Sequence, residues 1–333
     1  MKHKFLLIIF SLLITHEISA QDPIFTQYFL MPQTINPSFT GFEETTHFGV
    51  IHRTQWPSLD LNLDTNYGFL NTWFEDANSG AGVSFLRQRE NQTGYTYTQV
   101  NMSYAYRVRL GDRWFFRPSI EAGRGWKNFE FQGLLLEDQI NIQTNTISES
   151  SLDALLISRD NIGFWDVSAG LLFNNENLWI GASAKHLNRP NISLTINGNQ
   201  ALETFFSVSA GYEFLISDLI DIRLLPYEAR LMISGNYMQQ GRFNRFDLVS
   251  SFSIRNFFVG ATFITNPAMN TNNSHLLTSI NALTGLQYEN FIFGVSYDFN
   301  TSNIGRTGGV YELSLTYQIE PFAKRCPGCP DYQ

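Results

Sequence analysis

The stretch that decides the fold is YTYTQVNMSYAYRVRL, Tyr95 to Leu110. Val100, Met102, Tyr104, Tyr106, Val108 and Leu110 share one face of an extended chain, and Asn101, Ser103, Ala105, Arg107 and Arg109 share the other. Side chains along a strand alternate between two faces, so the stretch reads as one strand with an aromatic face and a small, polar face. It is longer than a usual soluble strand and right for a tilted one that crosses a bilayer. The alternation recurs where Phe291, Phe293, Val295, Tyr297 and Phe299 oppose Ile292, Gly294, Ser296 and Asp298. It recurs again with Tyr311, Leu313, Leu315, Tyr317 and Ile319 opposite Val310, Glu312, Ser314, Thr316 and Gln318. A barrel in lipid turns its apolar face outward and its polar face to the lumen.

Composition agrees. Aromatics make up 15% of the 333 residues and charged residues only 16%, where a soluble domain carries about a quarter charged. No segment after Ala20 holds the ~18 uncharged apolar residues of a membrane helix. A net charge of -8 argues against nucleic acid as a partner. The first twenty residues join Lys2 and Lys4 to the apolar run Phe5–Leu13 and a small residue, Ala20. They read as a cleaved secretory signal, with the mature chain starting near Gln21.

The pattern predicts an all-β, transmembrane outer-membrane β-barrel of about 14 antiparallel strands over residues 45–322. The strands are expected at 45–55, 59–70, 80–90, 95–109, 113–126, 163–173, 178–188, 203–215, 228–238, 244–254, 257–265, 279–287, 291–299 and 309–319. Polar turns at Gly111-Asp112, Asn174–Asn177, Arg255-Asn256 and Glu289-Asn290 all follow even strands and so share one end. The long connections 127–162, 189–202 and 266–278 all follow odd strands. Short periplasmic turns and long external loops are the usual asymmetry of such barrels. Connections 71–79 and 216–227 are longer than that rule expects. A soluble sandwich shares the alternation but not the strand length, the aromatic outer face or the turn asymmetry.

Residues 21–44 form a separate segment. Pro23, Pro32 and Pro37 remove backbone donors and keep it out of a central strand. Its aromatics still need burial. A lumen of about fourteen strands is too wide for wall side chains to fill, so the segment reads as a plug at the periplasmic mouth or in the lumen. A docking surface is the second reading, with Phe25, Tyr28, Phe29 and Phe39 as anchors.

The same residues resemble the PorP/SprF family of type IX secretion system membrane proteins. Asp22, Pro23, Phe25, Gln27 and Tyr28 match its DP-F-QY segment, and Asn36, Pro37, Phe39 and Gly41 its NP-(aromatic)-x-G segment. Arg53, Gln55 and Trp56 match its R-x-QW strand end. Ser103–Arg107, Ala210-Gly211-Tyr212 with Pro226, and Val295–Asp298 resemble later family motifs. Gly308–Glu312 departs from the family's GGSHE, lacking its Ser-His pair. The resemblance implies an outer-membrane barrel of a Gram-negative bacterium that works with the type IX export machinery. It implies periplasmic secretion components as partners and, for some members, a secreted adhesin carrying a C-terminal sorting domain as cargo.

Arg53, Gln55, Arg107 and Asp298 are expected in the lumen, where the arginines, Arg109 included, pair with acids such as Asp298 or Glu312 or with the N-terminal segment. Trp56 is expected in the interfacial aromatic belt. Cys326 and Cys329 lie in a periplasmic tail, 323–333. They read first as a disulfide or exposed tail and second as a partner's docking or metal ligands. No GxSxG, Walker loop or HExxH is present, so neither catalysis nor a cofactor is expected. The rival functional class is a passive or ligand-specific outer-membrane channel.

Overall fold

A computed structural model of the chain describes residues 22–59, 61–129, 140–141, 146–147, 161–194, 198–219, 226, 229–267, 277–301 and 307–319. The signal segment, the 323–333 tail with Cys326 and Cys329, and most of the 127–162 and 266–278 connections lie outside the described residues.

The wall strands are β1 (Thr46–Gln55), β2 (Leu63–Phe74), β3 (Ser79–Glu90) and β4 (Thr96–Tyr106, resumed at Val108–Leu110). They continue with β5 (Trp114–Asn128), β6 (Asn161–Asn174), β7 (Leu178–Lys185), β8 (Phe205–Leu215) and β9 (Arg230–Gln240). The last five are β10 (Phe243–Ile254), β11 (Phe257–Thr265), β12 (Leu277–Tyr288), β13 (Phe291–Asn300) and β14 (Val310–Ile319). Each pairs antiparallel with its chain neighbours, and β1 pairs with β14 from Thr46 opposite Ile319 to Gln55 opposite Val310. The sheet is therefore a closed barrel of fourteen strands with no free edge. A short hairpin, Ile140–Asn141 with Thr146–Ile147, lies outside the wall.

The two faces follow the sequence alternation. Met102 is 68% exposed and Leu313 55%, and with Phe48, Val83, Tyr104, Phe173 and Phe293 they belong to an outward apolar surface. A surface this apolar is stable against lipid, not water. The opposite face buries Arg53, Ser168, Ser296, Asp298, Glu312 and Thr316.

Two strands differ by more than two residues from the sequence expectation, and one difference explains the odd 71–79 connection. β2 runs Leu63–Phe74, not 59–70. Asn71 and Thr72 look like turn residues, yet they continue the ladder opposite Gly82 and Ala81. The turn is thus only Glu75–Asn78, with Asn78 at φ 46°. β7 ends at Lys185, not 188, and the chain from His186 turns inward. Ile192 and Leu202 are buried with Tyr97 and Phe164 in the mouth at the long-loop end. A one-turn helix, Ile216–Leu219, opens the 216–227 connection.

Residues 22–45 run through the barrel. Asp22 lies at the long-loop end, where its backbone N–H donates to Gln240 at the close of β9. Glu44 lies at the short-turn end beside Arg117 and Arg107. Two apolar clusters join this segment to the wall: Phe25 and Met31 with Ile51, Tyr67 and Phe69, and Tyr28 and Ile35 with Phe205, Met238 and Val249. The core of the molecule sits inside the lumen.

Candidate functional site: the occupied lumen

The lumenal segment is held by polar contacts at three levels. At the long-loop end, His186 stands between two carboxylates. Its Nε2 is 2.7 Å from Asp22 and its Nδ1 2.9 Å from Asp166, whose other oxygen accepts from Gln99 at 2.9 Å. Burial alone would push the Asp22 carboxyl up, but the His186 charge and hydrogen bond, with Lys185 and Lys127, bring it down to about 2. Burial alone would lower His186, but the Asp22 charge and bonds to both acids raise it to about 9. Both shifts describe an imidazolium donating from both nitrogens.

One level deeper, Glu312 gathers the next turn. Its two oxygens accept from the backbone N–H groups of Thr26 (2.8 Å) and Gln27 (2.9 Å), and it pairs with Arg53. The Thr26 hydroxyl donates to Asp298 at 2.9 Å. Gln27 donates to Ser296 at 3.0 Å and accepts from Ser314 at 2.6 Å. The Arg53 and Glu312 side chains are 8% and 1% exposed, so removing either partner strands a buried charge.

The third level is set by Asn36-Pro37. Asn36 caps the short turn Pro37–Phe39 by accepting from the Ser38 N–H at 2.9 Å. Its carboxamide nitrogen donates to the carbonyls of Leu171 on β6 (3.1 Å) and Ala182 on β7 (3.3 Å). The wall thins to receive it: a Cβ on Gly170 would overlap the Asn36 carboxamide. Thr40 then bonds Ser103 at 2.8 Å. Gly41, at φ 68°, packs on Gly80, whose Cβ would meet the Thr40 carbonyl. Glycine is the residue that permits so close a backbone approach.

The structure brings Asp22, Phe25, Gln27, Tyr28, Asn36, Pro37, Phe39 and Gly41 together inside the barrel, all buried except the half-buried Asp22. Arg53 and Asp298 join them, and Gln55 accepts from Arg53 at 3.3 Å. Arg107 sits at the short-turn rim, paired with Glu44 and stacked 4.5 Å from the Trp73 ring. Arg109 bonds the turn carbonyls of Gly111 and Asp112 rather than an acid. Trp56, half-buried at the long-loop rim, leaves the strand at φ 59°, and its N–H donates to the Gly309 carbonyl at 3.0 Å. Sequence reasoning missed His186 and Asp166, which gain meaning only when Asp22 reaches the far mouth. The signal that could have flagged the plug path was the glycines on inward positions: Gly80, Gly170, Gly181 and Gly294.

A profile of type IX secretion system membrane proteins PorP/SprF matches residues 17–317, nearly the whole chain. The chain belongs to the PorP/SprF family. Solved structures similar to this PorP/SprF barrel include outer-membrane protein Omp33 of Acinetobacter baumannii, at 9% identity and TM-score 0.45, covering 83% of this chain and 99% of that one. KdgM porin is similar at 9% identity and TM-score 0.36, with 82% and 99% covered. The comparison with curated proteins returned no match. Fold and family together place this PorP/SprF protein in the outer membrane. In outer-membrane barrels generally, short turns face the periplasm and long loops the exterior.

Proposed function

We propose that this PorP/SprF barrel is an accessory of type IX export that helps a secreted adhesin leave the cell and holds it at the surface. The observation that carries the reading is the filled lumen: residues 22–45 are bonded to β1, β4–β7, β9, β13 and β14. A barrel occupied along its axis is a poor conduit and a rigid platform. Its work then falls to its surfaces, with external loops 127–162, 189–202 and 266–278 holding cargo and the periplasmic rim meeting the machinery. Catalysis has no part in this reading.

The test is deletion of the gene. Secretion and surface display of the cargo adhesin are expected to fail while permeability to small solutes is unchanged. The opposite result, intact display with altered permeability, would favour the channel.

A further inference from the structure

Among the described residues, the plug leaves a cavity of about 240 Å³ against the wall. Phe29, Phe39 and Phe42 of the plug and Trp179 and Met232 of the wall line it. Trp179, Met232 and Phe42 are near the short-turn ends of their elements, so the cavity sits in the short-turn half. Three of its lining groups are buried without a hydrogen-bond partner: Tyr28 Oη, Ser234 Oγ and Asn236 Nδ2. Their residues are 6%, 5% and 1% exposed. Buried polar atoms are almost always satisfied, so these three take their partners from water or from an occupant with hydrogen-bonding groups of its own. Two hydroxyls and an amide N–H suit the carbonyl and amide groups of a peptide. Two acids, Glu43 and Glu213, also line the cavity. Glu213 is paired with Arg230, whereas Glu43 has no ion-pair partner within salt-bridge distance among the described residues.

We propose that the occupant is the chain's own C-terminal segment, residues 320–333, EPFAKRCPGCPDYQ. Lys324 and Arg325 meet Glu43, and the stretch ending in Tyr332 enters the aromatic cavity. Ile319, the last residue of β14, pairs with Thr46, and Glu43 lies three residues before Thr46, at most about 11 Å along the chain. From Ile319, an extended chain carries Lys324 and Arg325 up to roughly 15–20 Å and Tyr332 up to roughly 45 Å. A fourteen-stranded barrel is about 25–30 Å across. The basic pair therefore reaches Glu43, and the aromatic end reaches the far wall at Trp179 and Ser234. The inference is independent of the export reading, since it concerns only this chain.

The experiment places the photo-crosslinker p-benzoylphenylalanine at Phe42 in the full chain, in the outer membrane. Folding is verified by heat-modifiable migration, and adducts are identified by mass spectrometry. The expected adduct is a peptide from residues 320–333, and Glu43→Lys is expected to lower its yield several-fold. Adducts to another protein with the tail unlinked would overturn the proposal and make the cavity a partner's site. Adducts confined to the barrel and plug, or an adduct yield unmoved by Glu43→Lys, would overturn it too.

Discussion

At the residue scale, Glu312 holds the most. It satisfies two consecutive backbone N–H groups of the plug and one buried guanidinium. Glu312→Ala is expected to destabilise the folded barrel by about 3–5 kcal/mol, because Arg53 is left buried and unpaired. A drop in the temperature at which gel migration shifts would report it, and the double variant Arg53→Met with Glu312→Leu should recover part of the loss. The His186 clasp gives a pH dependence of definite sign. Its pKa is raised to about 9, so its contribution is full below the ordinary 6.5 and is lost as pH rises through about 9. Asp22, lowered to about 2, contributes fully above its ordinary 3.8 and fails only as pH falls through about 2. The protection factor of amides near Asp22, taken relative to the intrinsic base-catalysed rate, should therefore be high at pH 5–6 and fall in a step toward pH 10. His186→Gln should abolish that alkaline step, and an unchanged profile in the variant would rule the clasp out.

At the element scale, the plug and the wall are separable. Each wall strand finds its ladder partners in its neighbours, so the barrel is expected to close without residues 22–41. Deleting Asp22–Gly41 is expected to leave a heat-modifiable barrel that conducts ions in planar bilayers, where the full chain is quiet. A deletion that prevents folding altogether would mean that the plug is part of the folding core. Gly170→Ala is the gentler probe. Its Cβ overlaps Asn36 and crowds the hydroxyls of Ser38 and, on β5, Ser119, and should expose the 22–45 segment to protease while the barrel persists. The β2 boundary and the inward turn at His186 were hard to read because polar residues mark both lumenal wall and loop. Only the neighbour across the ladder, or the plug across the lumen, tells them apart.

At the scale of the whole molecule, a closed barrel with a bonded plug predicts low solute flux even when the protein is abundant. Overexpression should leave uptake of small dyes unchanged, and a rise in uptake would contradict the occupied lumen. The sequence by itself determined the barrel and its strand count. Alternation with a period of two, as in Val100–Leu110, is a local consequence of strand geometry and survives in one dimension. It also marked the 22–44 segment as excluded from the wall, since proline's missing donor is a property of the residue. Only the tertiary structure decided that this segment runs through the lumen to the long-loop mouth, and that Asp22 meets His186 and Glu312 meets Thr26 and Gln27. Those partners lie 164 and more than 280 residues apart. Nothing local to either residue records a contact that exists only once the sheet has closed around the chain.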